Sequence, residues 1–542
     1  MSGVNMGDLL EAVAEAVPTA SAQVQGERRF SWADFERRTR GLSRTLIACG
    51  LQRQDKVAQY LYNCPEYLES MAGCVRASFV PVNTNYRYRE RELLYLWDNA
   101  DVVAVVFHGC FSERIDGLRE RLPKIQTWIW VKDGEEGCPD WAIPYEEAVG
   151  EGRQADGGAI EMPWERDGDD LIIVYTGGTT GMPKGVMWRQ DDYFHLINPE
   201  RPQGPYDWSR GYRGIVEQKR REGPGRVMLP ACPQMHALAL MGSFTTLLNG
   251  GSVVTQTSER FDAVEILDLI EREGVHQVSI VGDAFARPLL EALDAEPGRW
   301  DLSSLVVIRS AGVMWSQEVK QGLLRHNSKM NLIDGLGSTE AARIGRSQST
   351  GDQTASTAVF RLNPEGRVFD DNLVPVKPGS GVIGRLAVGG SLPIGYYKDP
   401  EKTAATFVVV DGERYSIPGD FATVEADGSV RLLGRGSACI NTGGEKVFPE
   451  EVEEVVKRFE GVRDAVCVGV PDPRFGERIV ALIEVPAGPA SVSETEIIAW
   501  VKTQLAGYKA PRHVLVVDSI GRAANGKVDY KRLRQYSIEQ LD

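Results

Sequence analysis

The sequence predicts an α/β protein in which a large N-terminal body of layered sheets and helices is followed by a small α+β C-terminal domain. Three observations predict it. The chain has 542 residues, well beyond one ordinary domain of about 100–200 residues. Short β-branched runs alternate with helical patterns over the first several hundred residues, which argues for largely parallel sheets. Beyond Gly434-Arg435-Gly436 lies a self-contained set of elements, long enough to fold by itself. The boundary is therefore placed so that residues 1–434 form the body and 435–542 the small domain.

Taken in order, a helix is expected from Trp32 to Ile47, stopped by Gly50, with Asp55-Lys56-Val57-Ala58 leading into a strand. Val102 to Phe107 is an unbroken apolar run and reads as a strand buried on both faces. Asp170 to Val174 delivers another strand to a glycine-rich loop. From Asn198 to Arg226 the pattern lapses, and a surface insertion is expected in which Gln218-Lys219-Arg220-Arg221-Glu222 is solvated charge. The small domain should hold a helix (Glu450 to Phe459), two strands (Ala465 to Val470, Arg478 to Val485), a helix (Glu494 to Leu505) and a strand (His513 to Val517).

Composition excludes several functions. Lys and Arg number 61 against 76 Asp and Glu, a net charge of −15, which opposes nonspecific nucleic-acid binding, since that binding draws its affinity from cations on phosphates. The eight cysteines never approach CxxC spacing and the six histidines form no HxxxH pair, so neither a zinc site nor a disulfide framework is expected and a cytoplasmic location fits. The N-terminus lacks a basic region followed by an apolar run, and no stretch reaches the roughly 18 apolar residues of a membrane span. The 57 glycines are the one raised count; they signal tight turns or close approaches of backbone to a ligand.

The most informative segment runs Tyr175-Thr176-Gly177-Gly178-Thr179-Thr180-Gly181-Met182-Pro183-Lys184-Gly185-Val186. Glycines let backbone N–H groups turn toward an anion, hydroxyls add donors, and Lys184 adds a positive charge, so phosphate binding follows. Lys184 follows a proline and precedes a glycine, which is not the Walker A pattern and disfavours a P-loop ATPase. A glycine-rich turn without a ligand is the bland alternative.

The full string resembles the signature of the adenylate-forming superfamily, which includes acyl-CoA synthetases, luciferases and nonribosomal peptide adenylation domains. Other segments resemble its motifs in the expected order. The resemblance implies that Thr176, Gly177, Gly178, Thr179, Thr180 and Lys184 clasp the β- and γ-phosphates of ATP. In Asp334-Gly335-Leu336-Gly337-Ser338-Thr339-Glu340 it implies that Thr339 touches the α-phosphate and Glu340 binds Mg²⁺; alone, such a string reads as a helix N-cap. Ser310-Ala311-Gly312, with Leu336 and Gly337, would line the adenine, Asp420 would accept both ribose hydroxyls, and Arg435 would reach ribose or phosphate. Gly443 and Gly444 would shape the tunnel for the thiol arm of CoA, and Lys527 would be the catalytic lysine of adenylation. His236, in Pro233-Gln234-Met235-His236, and Gly282, in Val281-Gly282-Asp283-Ala284, would wall the acyl pocket; without the resemblance His236 reads as a core histidine.

In detail the chain is similar to actinobacterial acyl-CoA synthetases of the FadD type, above all those acting on fatty acids and steroid side chains. This implies a body of two α/β subdomains plus a small β subdomain, with a mobile C-terminal lid. It also implies conversion of a long-chain or bulky apolar carboxylic acid to acyl-AMP and then to a CoA thioester, in lipid or steroid metabolism, with ATP, Mg²⁺ and CoA. Two departures are visible: Leu336 stands where an aromatic is common, and Ser437-Ala438 stand where acidic hinge residues are common. Transfer of the acyl group to a carrier protein or an amine, a silent nucleotide-binding regulator, and assembly into a homodimer remain open.

Overall fold

The computed structural model describes residues 3–150, 162–176, 182–198, 206, 208–313, 315–435, 440–442, 445–472, 475–486, 492–505, 507–523, 526 and 528–541. Among them the structure has three sheets. In the first, Ser21–Gln25, Ser252–Thr255, Val227–Pro230, Gln277–Ile280, Val307–Ala311 and Asn331–Leu336 are neighbours in parallel. From Gly345–Ser349 onward the pairing turns antiparallel, and the sheet continues through Val359–Leu362 into the small β layer holding Ile383–Val388, Asp420–Val424 and Val430–Arg435.

The second sheet is parallel through Leu171–Thr176, Val80–Asn83, Lys56–Tyr60, Val102–His108 and Thr127–Val131, with Lys184–Arg189 antiparallel beside Leu171–Thr176 and Gly395–Tyr396 outside it. Residues 102–107 are buried apart from the half-buried Val103. Covering helices on both faces explain why such strands are continuously apolar. All 12 residues of helix Pro65–Arg76 are buried, including Glu66, Glu69 and Arg76. The helix Trp32–Ala48 begins with a capping box between Ser31 and Asp34, and Gly50 follows it at φ +92°.

The third sheet belongs to the smaller C-terminal domain: Ile440–Thr442, Glu445–Val447, Asp464–Asp472, Gly476–Glu484 and His513–Val516. Helices Pro449–Lys457 and Glu494–Gln504 and the terminal helix Tyr530–Leu541 accompany it. The expected elements appear with ends shifted by one or two residues. The antiparallel pair Ile440–Thr442 and Glu445–Val447 and the terminal helix were not expected, the first because its strands hold only three residues each.

The expected insertion is overturned only in part: Arg220, Arg221 and Glu222 are exposed as expected, but a helix with a buried face lies within the segment. Residues Gly211–Glu222 form a helix that buries Ile215, Val216 and the stem of Lys219 against helix Met6–Ala16. Lys219 is not solvated charge: its ammonium lies 5.5 Å from the centre of the buried Tyr206 ring. With so few apolar anchors, a lysine stem completes the buried stripe, and hydropathy patterning does not count it.

Arg38 generates a test of the body. Its guanidinium, 1% exposed, donates to Glu69 Oε1 at 2.8 Å, itself fully buried, and to Glu146 Oε2 at 2.6 Å. Burial pushes the Glu69 carboxyl up, and Arg38 pulls it back down. Arg38→Met should leave a buried carboxylate uncompensated and cost about 3–5 kcal/mol in urea denaturation, whereas Arg38→Lys costs less.

Candidate active site

The predicted residues gather where strands end. Ile280, Ser310 and Asp334 are register neighbours in the first sheet, so Gly282, Gly312 and Gly337 follow them along one carboxyl edge, where ligands bind in open α/β sheets. His236 lies beyond the carboxyl end of Val227–Pro230 and N-caps helix Ala237–Leu248. Two asparagines of the second sheet reach across to this edge. Asn83 accepts the Tyr175 N–H at 2.7 Å and donates to Tyr175 O at 3.0 Å and Met235 O at 2.7 Å. Asn63 accepts the Gln234 N–H at 2.6 Å and donates to Cys232 O at 3.0 Å. The strand entering the phosphate loop and the segment ending in His236 are thereby tied to one amide.

Thr176 and Lys184 are partners across antiparallel strands and so close the phosphate loop at its base. Gly177, Gly178, Thr179 and Thr180, which carry the core of that assignment, lie outside the described residues. Gly185 makes room for packing: a Cβ there would stand 2.7 Å from the Tyr175 ring. Lys184 Nζ pairs with Asp399 Oδ2 at 3.0 Å and sits 5.6 Å from the Tyr396 ring centre. The Tyr396 hydroxyl donates to Glu340 Oε1 at 3.0 Å, and Trp188 Nε1 donates to Thr339 O at 3.3 Å. The strand leaving the loop and the Thr339-Glu340 segment thus share one framework. That segment is the tip of a β-hairpin between Asn331–Leu336 and Gly345–Ser349, not a helix N-cap.

Two residues assigned to the adenine site have side chains that pack behind the edge. The Ser310 side chain is buried and accepts the Gly282 N–H at 2.9 Å, so it braces the acyl wall and leaves Ala311 and the exposed Gly312 as the open surface. Leu336 packs in the apolar cluster with Ala341, Ile344 and Phe360. Asp420 and Arg435 are partners across strands Asp420–Val424 and Val430–Arg435, which brings the ribose assignment and its basic neighbour together.

The C-terminal domain rests on this edge. A Cβ on Gly526 would lie 3.2 Å from Val281 Cγ1 and 3.3 Å from Val313 Cγ2, which places the start of the predicted catalytic loop beside Gly282 and Gly312. Lys527 itself, like Gly443 and Gly444, lies outside the described residues. Arg522, which sequence reading passed over although it stands in the same string, holds the loop: it donates to Gly526 O at 3.1 Å and forks onto both oxygens of Asp464 at 2.6 and 2.9 Å. Gly434 takes φ +114°, a conformation that favours glycine, beside the Glu450 carboxylate at the start of helix Pro449–Lys457.

Beneath the edge, burial pushes the Asp334 carboxyl up to about 7, with Asp283 and the lid's Glu454 adding to it and Lys320, at 3.6 Å, pulling it down. A cavity of about 650 Å³ runs from Pro233, Ala284 and Phe285 to Arg522 and is walled by Tyr62, Tyr86, Arg87 and His108. The Tyr62 N–H donates to His108 Nδ1 at 3.0 Å, which in the neutral ring leaves the proton on Nε2. Burial lowers the His108 pKa and keeps that ring neutral. A cavity of about 1070 Å³ between helices Met6–Ala16, Trp32–Ala48 and Gly211–Glu222 touches none of the predicted residues. Among the described residues no cluster of three or more His, Cys, Asp or Glu could hold a metal alone, and no helix is long and apolar enough to cross a membrane.

Residues 10–397 match the AMP-binding enzyme family, and residues 451–527 match the AMP-binding enzyme C-terminal domain. The chain is 36% identical to a medium/long-chain-fatty-acid–CoA/3-oxocholest-4-en-26-oate–CoA ligase of Mycobacterium marinum, over 97% of this chain and 96% of that one. It is 37% identical to a 3-oxocholest-4-en-26-oate–CoA ligase of Rhodococcus rhodochrous, over 97% and 95%. Among solved structures, the anthranilate CoA ligase AuaEII in complex with anthranoyl-AMP superposes with a TM-score of 0.82 at 20% identity, covering 100% of this chain and 98% of that one. ATP-bound MatB from Rhodopseudomonas palustris gives 0.80 at 24%, covering 100% of both. These two likenesses concern the fold.

Two outcomes follow from this geometry. Asn83→Ala strands two carbonyls and an N–H and should cost about 1–3 kcal/mol of stability while raising KM for nucleotide and acid together; a rise in only one of them contradicts the shared tie. Asp334 titrates in the folded state at about 7, above the ~3.9 of an unfolded aspartate, so its proton contributes stability that is complete below about pH 4 and lost as pH rises through about 7. Urea titrations should therefore show a smaller stability difference between about pH 5 and about pH 8 in Asp334→Asn than in the wild type.

Proposed function

Because this chain belongs to the AMP-binding enzyme family, we propose that it is an acyl-CoA synthetase acting on a long-chain or bulky apolar carboxylic acid, a steroid side-chain acid included. ATP converts the acid to acyl-AMP with release of pyrophosphate, and CoA then displaces AMP to give the thioester. The observation that carries this reading is the joint placement of Thr176, Lys184, Thr339, Glu340, Ala311 and Gly312 around one carboxyl edge with the Gly526 loop set down on it. The relatives named as ligases of fatty and steroid acids supply the substrate class.

In this reading the body binds and the lid acts. Lys184 and the phosphate loop hold the β- and γ-phosphates, Thr339 meets the α-phosphate, and Asp420 takes the ribose. Glu340 fits Mg²⁺, which needs one or two carboxylates and takes its remaining ligands from water and phosphate: Oε1 is taken by Tyr396, and Oε2 is left as the ligand atom. The ion supplies charge compensation on the phosphates when bound. The substrate carboxylate, in the pocket walled by His236 and Gly282, attacks the α-phosphorus in line with departing pyrophosphate. Lys527 neutralises charge as it grows, which is positioning and electrostatic work and requires no protein base.

The second step needs a different lid pose. Residues 435–542 form the moving unit, Gly436 beside Ser437 and Ala438 is the hinge, and Gly443-Gly444 comes in to admit the thiol arm. The cavity beside Tyr86, Arg87 and His108 has a mixed polar and apolar lining, in which Arg87, Lys132 and Arg260 would meet the phosphates at the nucleotide end of CoA.

A carboxylic-acid panel from short fatty acids through aryl acids to steroid side-chain acids, read as AMP release with and without CoA, tests the reading. Long or steroidal acids should turn over only with CoA present; acyl-AMP without thioester would assign a carrier protein or amine as acceptor instead. Lys527→Ala should slow acyl-AMP formation by about 10²–10³-fold or more while sparing thioester formation from supplied acyl-AMP.

A further inference from the structure

The ammonium of the phosphate loop is already engaged by the protein itself. Lys184 Nζ lies 3.0 Å from Asp399 Oδ2, with side-chain exposures of 39% and 33%. The other oxygen, Asp399 Oδ1, accepts the Lys402 N–H at 2.9 Å and caps helix Pro400–Thr406. The two oxygens therefore have separate duties, one holding a helix and the other holding the loop's cation. Backbone pairing sets the distance between them and the loop: Gly395 and Tyr396 are partners of Met187 and Val186, and the Tyr397 N–H donates to Gly185 O at 2.8 Å. Sequence reading passed over Asp399, since Asp399-Pro400-Glu401 has every mark of a simple helix start.

We propose that Asp399 is a positioning residue that holds Lys184 in reserve and competes with the phosphates for it, so that it sets how tightly ATP and pyrophosphate are bound. The inference rests on the reading of Lys184 as a phosphate ligand. A half-exposed lysine–carboxylate pair is worth at most about fivefold in an equilibrium constant. A phosphate group brings more charge and several acceptor oxygens, so it takes the ammonium from Asp399. When pyrophosphate leaves, the ammonium returns to a carboxylate at a fixed place, and its departure does not expose an uncompensated cation. The same short segment also holds Glu340 through the Tyr396 hydroxyl, at 3.0 Å, so both charged groups of the site are steadied from one strand.

Calorimetric titration of ATP, and separately of inorganic pyrophosphate, into the full-length protein tests this. Asp399→Asn keeps an acceptor for the Lys402 N–H and removes the charge. Both ligands should then bind about two- to fivefold more tightly, pyrophosphate should inhibit at correspondingly lower concentration, and the gain should vanish in a Lys184→Ala background. Asp399→Ser, which also caps a helix, should show the same shift and covers the case in which the asparagine variant fails to fold. Unchanged or weaker binding in a folded Asp399 variant overturns the proposal. A Lys184→Ala protein that binds ATP as the wild type does overturns the underlying reading of Lys184 instead.

Discussion

Two sheets can form one site only if their carboxyl edges are held together, and in this protein a buried amide does it. Asn83 stands at the end of one sheet's strand and spends its acceptor and both donor hydrogens on backbone groups, two on Tyr175 and one on Met235. Tyr175 leads into the phosphate loop and Met235 into His236. A carboxamide is the side chain that can meet an N–H and two carbonyls at once. Asn63 repeats the device one strand away. The strand end at Tyr175 and the segment before His236 therefore keep a fixed relation.

Around that join, the charged parts are each held by a partner of the protein's own. Lys184 has Asp399, Glu340 has the Tyr396 hydroxyl, and Arg522 carries the Gly526 loop while forked onto Asp464. The partners differ in burial, and the difference suits their tasks. Arg522 and Asp464 are largely buried, which makes a firm support for a loop that must arrive in register. Lys184 and Asp399 are both partly exposed, which makes an exchangeable contact.

Much of this was legible in the chain, for identifiable reasons. The C-terminal elements and the strand of Val102 to Phe107 were readable because their periodicity is unbroken. The phosphate loop and the Thr339-Glu340 segment were readable because several residue types with one chemical purpose stand in a row. What escaped notice depends on partners remote in sequence. Asn83 is an ordinary polar residue until its contacts 92 and 152 residues away are known. Helix Gly211–Glu222 escaped because a lysine stem stands in its buried stripe. That the Ser310 hydroxyl accepts the Gly282 N–H and that Leu336 packs with Ile344 and Phe360 was hidden as well, since a string of letters does not say which face of a strand a side chain takes.

The raised glycine count divides along the same line. Read by composition, glycines signal turns or ligand contacts, yet Gly185 makes room for the Tyr175 ring and Gly434 stands at φ +114°. By itself the sequence determined the α/β class, the order of the elements, the family and the chemistry that its motifs encode, because these depend on local pattern and on residue type. Only the tertiary structure decided which of those residues face the common edge, which brace it from behind, and which remote carboxylates and amides hold them. Those choices follow from strand register and from hydrogen bonds between segments far apart in the chain, and neither is written in local pattern.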